Sequence, residues 1–115
     1  MKTILHITPP QDWEKAKNTG IYRADSLETE GFIHCSTPTQ VVRTANLWFK
    51  NQTDLLLLFI DSEKVTSEIR YDIVAENQRF PHIYGALNTN AVFKVIEFEP
   101  NENGVFELPT EFQVE

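Results

Sequence analysis

The three histidines are the residues of this chain best suited to chemistry, and each lies between apolar neighbours. They are His6, His34 and His82. An imidazole among apolar side chains must find hydrogen-bond partners or transfer protons. We therefore expect all three to line or border a functional cleft.

One local pattern occurs twice, in residues 6–11 and again, with one inserted residue, in residues 34–40. In both copies a histidine closes a predicted strand just before a Thr-Pro helix start. Backbone N–H groups at a helix start favour an anion. Two such starts facing one cleft would hold a phosphate, with the extra hydroxyl of Ser36 beside it. The same pattern is also an ordinary way to begin a helix.

Residues 80–85 read Phe-Pro-His-Ile-Tyr-Gly. Proline and glycine at this spacing predict a rigid connection, with no regular element. A planar ring would stack there, and His82 or the Tyr84 hydroxyl would fix its orientation. The alternative is that these two side chains only attach a loop to the core.

Arg70 and Asp72 alternate with Tyr71 and therefore share one face of a predicted strand. They form either a surface ion pair or a site at which Arg70 supplies positive charge to an anionic ligand.

A divalent metal bound by the histidines with Cys35 and Asp72 is a further possibility. The histidines are far apart in the sequence and form no short metal-binding signature, so we expect no metal. Cys35 follows His34 in a predicted strand, and the two side chains should point to opposite faces. If His34 lines a cleft, Cys35 belongs to the core.

The elements that position these residues follow from hydrophobic periodicity and turn residues. Strands are predicted at residues 2–7, 31–35, 55–60, 69–74 and 91–98, and helices at residues 8–20 and from Thr37 onwards. Thr8 and Thr37 are the predicted helix caps, and the second helix carries Val41, Ala45, Trp48 and Phe49 on one face. Strands that are not regularly interleaved with helices predict an α+β fold.

The composition limits the class of protein. The 115 residues suit a single domain, 1–115, and the net charge of −7 makes duplex nucleic acid an unexpected partner. The longest apolar run, residues 55–60, is too short to span a membrane. One cysteine fits a reducing compartment. We expect a cytoplasmic protein with a small-molecule or protein partner; its oligomeric state is left open.

Two segments, residues 31–37 with Gln40 and Val41 and residues 80–85, resemble the signatures of the bacterial family called domain of unknown function 952. The remaining matches are His6, Ala45, Asn46, Asp61, Ala91, Val92, Gly104, Phe106, Leu108 and Pro109. The resemblance implies the ADP-ribosylation fold, an α+β split sheet with two main helices. Enzymes of that fold, ADP-ribosyltransferases and RNA 2′-phosphotransferases, bind NAD across a cleft.

The resemblance also implies roles for residues. His6 and Thr8 would hold the ribose on the adenosine side, Ser36 and Thr37 would bind near the nicotinamide ribose and phosphates, and Tyr84 would stack. His34 or His82 would transfer a proton. The acidic residue of the family's third motif has three candidates, Asp72, Glu97 and Glu99.

Three hypotheses follow. The first is a cleft that binds NAD or a related nucleotide, as ligand or as substrate of ADP-ribosyl or phosphoryl transfer. The second is a non-catalytic domain that binds a small metabolite or a protein. The third is a metal-dependent hydrolase that uses the three histidines.

Overall fold

Strands and short helices alternate irregularly in the computed structural model, which describes residues 2–74 and 77–107. The strands are β1 (Thr3–Thr8), β2 (Ile21–Tyr22), β3 (Ile33–His34), β4 (Leu56–Asp61), β5 (Glu68–Ile73), β6 (Arg79–Tyr84), β7 (Leu87–Asn88) and β8 (Val92–Glu97). The helices are α1 (Pro10–Thr19), α2 (Asp25–Thr29) and α3 (Val41–Trp48). All pairing between these strands is antiparallel, so the predicted α+β class is confirmed.

The strands form two sheets of three, in the orders β1-β4-β8 and β3-β6-β5, and a small pair, β2-β7. Strand β4 is the centre of the first sheet, and its residues alternate between two buried clusters. Leu58 and Ile60 pack in the cluster that includes Trp13 of α1, while Leu57 and Phe59 pack with Val41 of α3. The strand predicted at residues 55–60 is therefore present, and it is a central strand covered on both faces.

The two larger sheets are joined by one bridge between β1 and the residues that follow β3. Leu5 and Ser36 exchange two backbone hydrogen bonds, each 2.8 Å long. In a regular antiparallel ladder, the next hydrogen-bonded pair would be Ile7 and His34. Instead the His6 side chain approaches, and its Nδ1 lies 2.6 Å from the carbonyl oxygen of His34. The sheets therefore part at His6.

Both ring nitrogens of His6 are occupied. A carbonyl oxygen only accepts, so Nδ1 donates to His34, and Nε2 lies 2.7 Å from the Tyr22 hydroxyl oxygen. The Tyr22 oxygen lies 2.9 Å from the Thr8 hydroxyl, which completes a buried chain. Burial lowers the pKa of His6 from 6.5 to about 4 and raises that of Tyr22.

The helix starts differ from the sequence prediction. Thr8 caps nothing, because its hydroxyl bonds with Tyr22, and α1 begins at Pro10 without a side-chain cap. The second helix begins at Val41, later than predicted. At Thr37 one hydrogen bond typical of a capping box is present, since the Gln40 side-chain oxygen accepts from the Thr37 N–H at 3.0 Å.

The prediction that residues 80–85 form an irregular connection is wrong, because β6 is the central strand of its sheet. Pro81 lacks an N–H and is usually excluded from central strands. Here its carbonyl accepts from Cys35 on the side of β3, where the pairing ends. The proline therefore costs one ladder bond at the end of a short strand. The predicted strand at residues 31–35 shrinks to β3 because Gly31 has a positive φ of 90°.

The predicted buried face of the second helix is correct at Val41 and Ala45 but wrong at Trp48, which is 73% exposed. Trp48 is the last residue of α3 and lies beyond the part of the helix that covers the first sheet. No helix in the described ranges has the length and apolarity needed to cross a membrane.

We expect stability to depend on pH through His6. Its pKa is about 4 in the folded protein and 6.5 ordinarily, so between these values the unfolded chain binds the extra proton. The free energy of unfolding should therefore fall as the pH falls through this window, by about 3 kcal/mol in total. Urea unfolding at several pH values measures it.

The variant His6→Asn, which keeps a donor for the His34 carbonyl, should be less stable at neutral pH and lose this pH dependence. His34→Asn is the matched control, because it removes a half-exposed imidazole and should keep the slope. An unchanged slope in His6→Asn would show that His6 is not responsible.

Candidate functional site

A cleft of about 500 Å³ opens where the two sheets part. Strands β1, β3 and β6 form its floor, the C-terminal half of α3 forms one wall, and the residues at the end of β5 and the start of β6 form the other. The lining consists of Leu5, His6, Ile7, Glu30, His34, Cys35, Ser36, Thr44, Trp48, Phe49, Val74, Phe80 and His82. The lining is therefore mainly apolar and aromatic.

The three histidines all reach this cleft, as predicted from their apolar surroundings. His34 lies directly opposite His82 in the pairing of β3 with β6, and Arg70 lies opposite His82 in the pairing of β5 with β6. Side chains alternate along a strand, so these three share one face of the sheet. Ile33 and Ile83 occupy the other face, in the core.

Asp72 holds His82 in place. The Asp72 carboxylate accepts from Nδ1 of His82 at 2.9 Å, and it also accepts a short hydrogen bond from the Tyr84 hydroxyl. These two bonds, first that of Tyr84 and then that of His82, lower the pKa of Asp72. The same carboxylate raises the pKa of the Tyr84 phenol. Asp72 is therefore an anion that accepts from two side chains.

The other nitrogen of His82, Nε2, is available to a ligand. It makes no hydrogen bond within the described residues, although every fully buried side-chain nitrogen or oxygen there has a partner. Nε2 is therefore not fully buried, and His82 is one of the residues that line the cleft. In the neutral ring the proton sits on Nδ1, opposite Asp72, and Nε2 carries a lone pair.

Phe32 covers one side of His82. The two rings are stacked with centroids 4.1 Å apart and planes 14° apart. Phe32 also lies 4.9 Å from the ring of His34 and 5.2 Å from that of Tyr84. Since the imidazole is fixed by a hydrogen bond at one edge and by a ring on one face, its orientation is set before any ligand arrives.

His34 has a carboxylate partner of its own. Its Nε2 lies 3.0 Å from an oxygen of Glu30, and both side chains are about half exposed. The rings of His34 and His82 are nearly perpendicular, with centroids 5.3 Å apart. The cleft thus contains two neighbouring imidazoles, each paired with a carboxylate.

Of the three hydroxyl side chains predicted to contact a ligand, one lines the cleft and two do not. Ser36 lines the cleft and donates to the Thr44 hydroxyl at 3.2 Å. Thr8 is fully buried against Tyr22, and Thr37 lies beside Thr39, its hydroxyl 3.1 Å away; neither lines the cleft. Their ligand-binding roles stay predictions that this geometry does not favour. The first residues of α1 and α3 are likewise not among the described residues that line the cleft.

Arg70 and Tyr84 lie beside the cleft and do not line it. Arg70 donates two hydrogen bonds, of 2.9 and 3.0 Å, to Glu68, and its guanidinium lies 4.5 Å from the centre of the Tyr84 ring. Among the described residues that line the cleft there is no lysine or arginine. The positive charge predicted from Arg70 is therefore already paired.

Cys35 packs in the core and also borders the cleft, and burial raises the pKa of its thiol. This matches the expectation that Cys35 is structural. Within residues 2–74 and 77–107 no three histidine, cysteine or acidic side chains are placed to hold a metal ion. The nitrogens of His6 are already used by His34 and Tyr22.

Sequence reasoning missed Glu30 and Phe32, and it left the acidic residue open. Of its three candidates, Asp72 contacts the site, while Glu97 lies on β8, at the far edge of the other sheet. Phe32 could have been found from its spacing, because residues two apart in a strand share a face and His34 follows two residues later. No local signal indicated the contact of Asp72 with His82, because this contact depends on the pairing of β5 with β6.

We predict that Asp72 fixes the tautomer of His82. In the wild type, long-range ¹H–¹⁵N spectra of the neutral ring should show the proton on Nδ1. Asp72→Ala should shift the proton toward Nε2, because the acceptor at Nδ1 is gone.

The matched control is Tyr84→Phe, which removes the other hydrogen bond to Asp72 but keeps the carboxylate. It should leave the Nδ1 tautomer in place. A proton that stays on Nδ1 in Asp72→Ala would contradict the assigned role.

Two solved structures resemble this chain over nearly its whole length. The crystal structure of protein CC0527 from Caulobacter crescentus has a TM-score of 0.88 and 27% identity, covering 97% of this chain and 99% of that one. The solution NMR structure of CC0527 has a TM-score of 0.84 and 28% identity, and covers 100% of both chains. No curated protein matches the chain.

Residues 7–95 match the sequence model of a family described as a protein of unknown function, DUF952. This family is the one that the residues around His34 and His82 resemble. The match covers most of the 115 residues. The chain therefore belongs to the DUF952 family.

Proposed function

We propose that the cleft binds a small, planar and mostly apolar molecule, and that His82 exchanges a proton with it. One observation carries this proposal: an imidazole fixed by Asp72 at Nδ1 presents its Nε2 to a cleft with aromatic walls. Membership of the DUF952 family does not depend on this proposal.

The lining supports a ligand of low charge. A volume of about 500 Å³ suits a small organic molecule. Trp48, Phe49 and Phe80 offer aromatic surface to a planar group, and Glu30, the one acidic residue among the described lining residues, is paired with His34. A polyanion would find no lysine or arginine among the described lining residues.

The arrangement around His82 supports proton transfer. A general base needs a lone pair within reach of the ligand and a partner that holds the rest of the ring. Asp72 is that partner, and it also stabilises the positive charge that the ring gains when it takes a proton. Because the ring is almost fully buried, little water competes with the ligand for Nε2.

The test is base-catalysed opening of 5-nitrobenzisoxazole, a planar neutral compound. A base removes its carbon-bound proton, the N–O bond breaks, and a coloured cyanophenolate is released. We expect His82→Gln to lower kcat/KM by about 100-fold or more. Asp72→Ala should lower it by roughly 10-fold to 100-fold, because the base is still present but no longer oriented.

Each variant is checked for a native amide NMR spectrum. Tyr84→Phe is the control that keeps both the imidazole and its carboxylate, and it should retain most of the rate. A wild-type rate no higher than that of His82→Gln would overturn the assignment of His82 as a base.

The second candidate is the one that the family resemblance implies: binding of NAD or a related nucleotide in an ADP-ribosylation-like split sheet. It is favoured by the parting of two three-stranded sheets beside a cleft with stacking side chains. Aromatic walls fit the nicotinamide ring. The pyrophosphate has no basic residue among the described lining, and for that reason this candidate ranks second. In an ADP-ribosyl transfer, Asp72 or Glu30 would be the acidic residue of the site.

Titration of NAD against the imidazole NMR signals tests this candidate. Shifts of His34 and His82 that saturate would support it, and nicotinamide riboside, which lacks the phosphates, should bind about as tightly. Release of nicotinamide would separate a transferase from a binding domain. No shift at millimolar NAD would eliminate the nucleotide.

A further inference from the structure

We propose that His34, paired with Glu30, is a second proton-transfer group and acts as the acid while His82 acts as the base. This inference rests on the proposed function and gives it a reaction class. It follows from the placement of two imidazole–carboxylate pairs in one cleft.

The two rings are close enough to act on one small molecule. His34 and His82 face each other in register on neighbouring strands, with ring centroids 5.3 Å apart. Both line the same cleft. Phe32 touches both rings and fixes their relative position. A ligand that meets one nitrogen lies within a few bonds of the other.

Burial assigns the two roles. Side-chain exposure is 4% for His82 and 51% for His34. A charged ring costs less where water still reaches it, so His34 is the better place for the imidazolium. A charged His34 donates through Nε2 to Glu30 and keeps its Nδ1–H for the ligand. A neutral His82 donates through Nδ1 to Asp72 and keeps a lone pair at Nε2.

One acid beside one base suits reactions in which a proton leaves one atom of a molecule while another atom gains one. His82 Nε2 takes the proton from carbon or nitrogen, and His34 Nδ1–H gives one to the oxygen or nitrogen where negative charge develops. Tautomerisation and elimination in small carbonyl or heteroaromatic compounds are of this class.

The cycle closes without an oxidant, a reductant or a co-reactant. After the reaction His82 carries the proton taken from the ligand, and His34 has lost one. Proton exchange with water through the half-exposed His34 restores both rings. Bonds and charges therefore balance within the two side chains, the ligand and solvent.

The experiment compares two substrates that differ in their need for an acid. 5-Nitrobenzisoxazole releases a stable phenolate, whereas unsubstituted benzisoxazole releases a more basic one that gains more from protonation. His34→Gln should slow benzisoxazole by about 100-fold and the nitro compound by less than about 10-fold. Glu30→Gln should also slow both substrates, benzisoxazole more than the nitro compound, but by smaller factors than His34→Gln.

Glu28→Gln is the matched control, because it neutralises an exposed carboxylate on α2 that is not among the described partners of His34, and it should leave both rates unchanged. If His34→Gln slows both substrates by the same factor, His34 is not an acid, while the role of His82 stands. If His82→Gln slows neither substrate, the proposed function itself fails.

Discussion

The hydrogen bond from His6 to the His34 carbonyl determines how the two halves of this molecule meet. After the bridge between Leu5 and Ser36, a side chain takes the place that a backbone N–H would have in a continuous sheet. The carbonyl is still satisfied, which a buried acceptor requires. The strands are nevertheless free to separate, and the separation creates the cleft. His6 thus fixes the strand that carries His34.

Side chains pack on both faces of the sheet that carries His6. Trp13 and Tyr22 pack against one face of the first sheet, and Val41 and Ala45 of α3 pack against the other. With both faces of β4 covered, the sheet cannot slide relative to the helices. The floor of the cleft at β1 therefore belongs to a sheet that is packed on both faces, and the pairing of β3 with β6 holds the two imidazoles side by side.

Much of the site could be predicted from residue types. Histidines with apolar neighbours had to be buried or functional, and all three reach the cleft. The apolar run from Leu55 to Ile60 could only be a covered strand. Predictions that depended on local signals alone failed where a tertiary contact outweighed them. Thr8 looks like a helix cap but bonds with Tyr22, and Pro81 looks like a loop residue but lies in a strand.

The fluorescence of Trp48 can report whether the cleft is occupied. The chain has two tryptophans: Trp13 is 7% exposed in the core, and Trp48 is 73% exposed while its ring also borders the cleft. The two indoles therefore lie in different environments, and of the two only Trp48 is accessible to a quencher dissolved in water. A molecule entering the cleft displaces water from that ring, so its fluorescence reports occupancy without any label.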